Sequence, residues 1–184
     1  LERVAERLWA KTEAVAEALP GRLWRIVGPE YATPPFLPPH LFQEYVCRYD
    51  QPMVDAIQRH GGYARIHSHG NLNAVLDHIV SMGVDGLDPI EPPPQGDVEL
   101  KDVREKGGDS MTLFGNLELS EIQNLPPDKF AEKVKRALEE GPSSNGSSFV
   151  LMPSACPYGR ELSVQALRNY EQMVEIILVL SSSA

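Results

Sequence analysis

The sequence predicts an α/β fold: a TIM-type (β/α) barrel of which only the C-terminal five βα units are present. Three observations lead there. Short apolar strands alternate with amphipathic helical stretches five times along 184 residues. Each strand runs into a polar or proline-rich loop that carries unusual residues, as in barrels whose loops after the strands build the active site. Five units cannot close a barrel, which needs eight and typically about 250 residues.

The elements follow in order. Glu2 to Leu19 has the spacing of an amphipathic helix and stops at Pro20-Gly21. Trp24 to Val27 is a short apolar strand, and Gly28 to Pro35 is too rich in proline for regular structure. A helix runs from about Pro39 to His60, with a break expected near Gln51-Pro52. The second strand is Tyr63 to His67, followed by a helix over Asn71 to Met82. The third is Gly86 to Ile90, which leads into Glu91-Pro92-Pro93-Pro94 and a short helix over Asp97 to Lys106. Met111 to Phe114 is the fourth strand, ending at Gly115-Asn116, with a helix over Pro127 to Glu139. After a flexible loop, Gly141 to Ser148, the last strand is Phe149 to Met152 and the last helix Ser163 to Leu180.

Composition narrows the function. At 42% hydrophobic the chain can bury a core, and its length fits one domain, residues 1–184. A net charge of −9 argues against a nucleic-acid or anionic-membrane partner, because both demand a basic patch. A small molecule is the expected partner. Two cysteines imply no disulfide framework and fit a reducing cytoplasm. The longest apolar run, Ile176 to Leu180, is too short to span a bilayer, and no signal peptide is evident. The chain opens without Met and already in a helical pattern, so we expect it to be the C-terminal part of a longer protein. Its open strand edges favour a homo-oligomer.

The residues with most chemistry are Arg65-Ile66-His67-Ser68-His69-Gly70 and, far downstream, Cys156. Side chains two apart on a strand share a face, which groups Arg65, His67 and His69 and turns Ala64 and Ile66 towards packed neighbours. Polar groups on a buried face are costly unless they bind something. The two histidines are metal ligands, or one is structural and the other solvated. Arg65 binds an anion or pairs with a core carboxylate. Cys156, between Pro153 and Pro157, is a ligand, a nucleophile or a small buried hydrophobe; Cys47 sits in a helical pattern as core. Glu91, stiffened by three prolines, is a fourth ligand, a proton carrier, a substrate contact or an exposed loop acid. Asn116 contacts substrate or caps its loop. Glu30 and Tyr31 sit in a proline-stiffened loop, where Tyr31 can donate to a substrate carboxylate.

From Gly28 onward the chain resembles the uroporphyrinogen decarboxylase superfamily, which includes zinc-dependent cobalamin:thiol methyltransferases. The matching segments are Gly28-Pro29-Glu30-Tyr31, His67-Ser68-His69-Gly70, Gly86-Leu87-Asp88-Pro89-Ile90-Glu91, Gly115-Asn116-Leu117-Glu118 and Pro153-Ser154-Ala155-Cys156. They occur in order at spacings that fit the last five units of such a barrel. In the methyltransferases a His-x-Cys-Gly loop and a cysteine after the last strand hold zinc; here His67, His69 and Cys156 take those places, with histidine replacing the first cysteine. The decarboxylases carry a histidine near the end of the final strand, and Met152 to Gly159 has none.

The resemblance implies zinc-dependent methyl transfer to a thiol, the methyl group coming from a corrinoid, its carrier protein or a similar donor. Three protein ligands leave zinc a position for the thiol. Glu91 and Tyr31 are the candidate catalytic residues, and Arg65, Asn116 and Glu30 the candidate substrate contacts. Two alternatives stand beside it: metal-free decarboxylation of a porphyrinogen-like polycarboxylate, and a non-catalytic corrinoid- or metabolite-binding subunit.

Overall fold

The structure is a computed structural model that describes residues 1–146, 148–157 and 159–182. Its centre is a five-stranded, wholly parallel sheet in the order β1-β2-β3-β4-β5: β1 (Leu23–Val27), β2 (Tyr63–Ser68), β3 (Gly86–Pro89), β4 (Thr112–Leu117) and β5 (Phe149–Pro153). Sequential order with every neighbour parallel is the arrangement of consecutive βα units in a (β/α) barrel. The expected partial TIM-type architecture is therefore present. Among the described residues β1 and β5 are the sheet's edges.

Helices connect the strands: α1 (Glu2–Ala18) precedes β1, and α2 (Pro39–Phe42) and α3 (Arg48–Arg59) link β1 to β2. A π turn, Gln43–Cys47, joins α2 to α3, and Pro52 lies inside α3. The break expected at Gln51-Pro52 is thus taken up one turn earlier, where a π turn absorbs the mismatch that proline creates downstream. α4 (Leu76–Ser81) and α5 (Leu100–Gly107) follow β2 and β3 and are shorter than their periodicity indicates, because turns occupy their first residues. A short helix that the sequence reading lacked, α6 (Leu119–Asn124), follows β4. The Glu118 carboxylate caps it by accepting from Ser120 N and Glu121 N. α7 (Pro127–Glu140) and α8 (Val164–Ser181) complete the chain, with the Ser163 hydroxyl capping α8. The loop expected over residues 141–148 is described except at residue 147, which lies outside the described residues.

The core lies between the sheet and the helices. Ile66, Leu87 and Leu113 are fully buried, as are Ile57, Leu76, Ile79, Leu100, Phe130 and Val134 from the helices. Each such side chain contributes roughly 1.5–3 kcal/mol by leaving water. Cys47 packs against this cluster as expected. At the N-terminal ends of the strands, Arg104 of α5 donates to the carbonyls of Gly108, Met111, Gly141 and Ser148. It thereby ties the approaches to β4 and β5 to the end of α7.

Candidate active site

Strand register assembles the site. Arg25 of β1 aligns with Arg65 of β2, and His67 aligns with Val27 on one side and Asp88 of β3 on the other. Ala64 and Ile66 are fully buried, as the alternation requires, and the intervening residues meet around Asp88. That carboxylate is completely buried. Arg65 Nε stands 2.8 Å from Asp88 Oδ2, an ion pair off the line of a hydrogen bond. Arg25 Nη2 donates to Oδ1 at 3.1 Å, and His67 Nδ1 lies 2.5 Å from the same oxygen.

Burial alone pushes Asp88 up, but the His67 hydrogen bond, the Arg65 charge and the Arg25 hydrogen bond outweigh it and hold the carboxyl below its ordinary range. An ionised Asp88 can only accept and Arg25 can only donate; His67 Nδ1 stands between them, 2.5 Å from Asp88 Oδ1 and 2.7 Å from Arg25 Nη2, where it either donates to Asp88 or accepts from Arg25. Arg65 also lies over the Phe114 ring, 4.4 Å from its centre, and is only 17% exposed. Of the two readings for Arg65, pairing with a core carboxylate is what the structure displays.

His69 lies just past the end of β2, its ring edge-to-face with that of His67 at 4.6 Å between centres. Gly70, at φ 89°, provides the turn that follows, a conformation that side chains with a Cβ rarely adopt. The Thr33 hydroxyl donates to Pro29 O and accepts from Ser68 Oγ at 2.9 Å, tying the loop after β1 to the end of β2. His69 Nδ1 stands 3.0 Å from Glu91 Oε1, an ion pair. The Glu91 contact raises His69 above the ordinary histidine range; partial burial opposes it, and the charges of Glu91, Glu30 and Asp88 reinforce it. Glu91 is nearly buried, and its backbone is closed over by Gly96, where a Cβ would come within 2.0 Å of Glu91 O.

Of the remaining candidates, Glu30 acts on His69 through its charge alone. Glu30 Oε2 accepts from Gly28 N at 2.9 Å, folding back on its own loop. Tyr31 is 75% exposed. Asn116, at the end of β4, lines a small cleft with Pro92, Glu121 and Arg136. Cys156 is exposed on the loop after β5. The structure thus brings His67, His69, Glu91 and Arg65 together and leaves Cys156 apart. Among the described residues no three His, Cys, Asp or Glu side chains converge into a metal-ligand group.

Two central residues escaped the sequence reading, Arg25 and Asp88. Both left a signal: a lone cation inside the apolar run Leu23-Trp24-Arg25-Ile26-Val27, and a lone acid between Leu87 and Pro89.

Sequential parallel strands whose C-terminal ends gather charged and ring side chains define the class: a partial (β/α) barrel. The uroporphyrinogen decarboxylase (URO-D) family pattern matches residues 26–175, so the chain belongs to that family. Among solved structures it is similar to a methyltransferase from Methanosarcina mazei, with a TM-score of 0.64 and 20% identity. That match covers 94% of this chain and 47% of the methyltransferase chain, so this chain spans about half the length of its structural relative. No curated protein matches it. Among the described residues no helix is long and apolar enough to cross a membrane.

Proposed function

We propose that the chain supplies part of the active site of an enzyme that transfers a methyl group to a thiol with the help of zinc. His67 and His69 are the nitrogen donors of this reading; Cys156, exposed on the loop after β5 and not grouped with them among the described residues, would be the sulfur donor only with that loop turned towards the histidines. The observation that carries it is that each ring has its own carboxylate at Nδ1, Asp88 for His67 and Glu91 for His69. Metal-binding imidazoles characteristically give one ring N–H to a carboxylate, which fixes the tautomer and leaves the other nitrogen for the ion. Mixed nitrogen and sulfur donors suit zinc. When bound, zinc would lower the pKa of the substrate thiol and favour the thiolate.

The protein's own groups have separate tasks. Asp88, fixed by Arg25 and Arg65, holds the His67 ring in place. Glu91 uses Oε1 to orient His69, and its Oε2, with only a 3.4 Å contact to Gly70 N, takes the thiol proton. A corrinoid or similar carrier would supply the methyl group to the thiolate sulfur and would keep the electron pair of the carrier–methyl bond that breaks. Among the described residues Tyr31, Glu30 and Asn116 make no hydrogen bond to either histidine, and Glu30 acts on His69 only through its charge.

A second reading rests on Arg25 and Arg65 flanking one face: metal-free decarboxylation of a polycarboxylate, with the His69–Glu91 pair moving the proton. Metal content separates the two. About one zinc per chain by elemental mass spectrometry, lost in His69→Ala and reduced in Cys156→Ser, is the expected result. Folded wild-type protein that takes up no zinc overturns the methyl-transfer reading and favours decarboxylation.

A further inference from the structure

We infer that Arg25 anchors the negatively charged end of the substrate, and that the group it takes is a carboxylate. This extends the reading above from the reacting atoms to the substrate's tail. Arg65 is the less suitable cation of the pair. It is 17% exposed, lies over the Phe114 ring and faces Asp88 directly. Arg25 is 43% exposed and touches the cluster through one nitrogen, Nη2, which reaches Asp88 Oδ1 and His67 Nδ1.

The remaining guanidinium donors of Arg25 have no partner among the described residues. An arginine presents five N–H groups in a planar fork that matches a carboxylate with two parallel hydrogen bonds. Charge favours the same role. Two arginines share the single buried carboxylate of Asp88, so Arg25 has no counter-charge of its own. Position favours it too. Arg25 lies on the edge strand β1, in register with Arg65 and beside His67, so an anion bound there lies next to the two histidines. Arg25 is therefore a substrate-binding residue, and its contact with Asp88 preorganises it.

The test is calorimetric titration of the 184-residue chain with three probes: 3-mercaptopropionate, propionate and 3-mercaptopropionamide. The two acids should bind and the amide should bind at least about tenfold more weakly, since a charged hydrogen-bonded pair contributes roughly a decade or more of affinity. Arg25→Met should remove the preference for the acids, and Arg25→Lys should restore only part of it because lysine lacks the fork. Circular dichroism establishes that each variant is folded. Should Arg25→Met not fold, the Arg25→Lys loss and the acid-over-amide preference still decide the matter.

No preference for the acids in the wild type overturns the assignment. So does a preference that survives Arg25→Met and disappears in Arg65→Met. Propionate lacks a thiol, so its binding is independent of methyl transfer. Propionate binding through Arg25 in a zinc-free chain would uphold the anchor while overturning the zinc reading.

Discussion

Replacing Asp88 by asparagine should cost the fold about 3 kcal/mol at pH 7, the lower end of the range for breaking a buried ion pair. The carboxylate is fully buried and faces Arg65 at 2.8 Å, Arg25 at 3.1 Å and His67 at 2.5 Å. Asparagine keeps an acceptor for one neighbour but leaves Arg65 nearly buried without a counter-charge. Arg25 can turn towards water, which is why the cost stays at the lower end. Arg65→Met should cost less, about 1–2 kcal/mol, because Arg25 and His67 still compensate Asp88. The double variant should lose less than the sum by about 1–2 kcal/mol, the coupling expected of groups in contact. Urea unfolding at pH 7 and at pH 3 measures both. The folded Asp88 titrates below its ordinary range, so its contribution is complete above the unfolded carboxylate value and fades as pH falls through the folded one. The gap between wild type and Asp88→Asn should therefore narrow below about pH 4. A gap under about 1 kcal/mol at pH 7, or one unchanged in acid, would refute the claim that Asp88 is held as a carboxylate by these neighbours.

Other expectations concern parts of the molecule away from this cluster. Burial pushes Asp50 of α3 up to about 6. Its folded form binds protons more tightly than the unfolded chain, so it costs stability as pH rises through the interval between the two values. Asp50→Asn should then stabilise the protein at pH 7.5 by at most about 3 kcal/mol, a ceiling because the residue keeps part of its surface in water, and should do nothing near pH 3.5. Thermal melts at the two pH values check this; equal effects at both contradict it. Arg104→Met should cost about 3 kcal/mol or more, since four backbone carbonyls lose their donor together; a loss below about 1 kcal/mol in urea unfolding would mean that water replaces it freely. The β1 edge carries exposed Leu23 and Val27, and self-association of the chain is expected; a monodisperse monomer by light scattering would contradict it.

Strand existence was legible because each strand is a short apolar run followed by a loop of proline, glycine or charge. The face shared by Arg65 and His67 was legible for the same reason: strand alternation is a local rule. What joins them to Asp88 was not, because register between neighbouring strands depends on how the intervening helices pack. Only the alignment of Arg25 with Arg65, and of His67 with Asp88, turns four residues on three strands into one ion cluster. α6 was missed because its six residues are too few for a period to emerge, and the cap from Glu118 defines it instead. The separation of Cys156 from the histidines had no local signal either, since it depends on the course of the loop after β5.

The two arginine networks explain why the chemistry can sit at one end of the sheet. At the N-terminal ends Arg104 spends its guanidinium on carbonyls, which fixes the approaches to β4 and β5 and leaves little to offer a ligand. At the C-terminal ends Asp88 is a single acid divided among two arginines and a histidine, so neither arginine has a carboxylate of its own. A fold that sought only stability would match these charges one to one or replace them by apolar side chains at little cost. The uneven pairing is retained where Arg25 is 43% exposed. The N-terminal ends hold the frame, and the C-terminal ends gather imidazole, carboxylate and guanidinium groups.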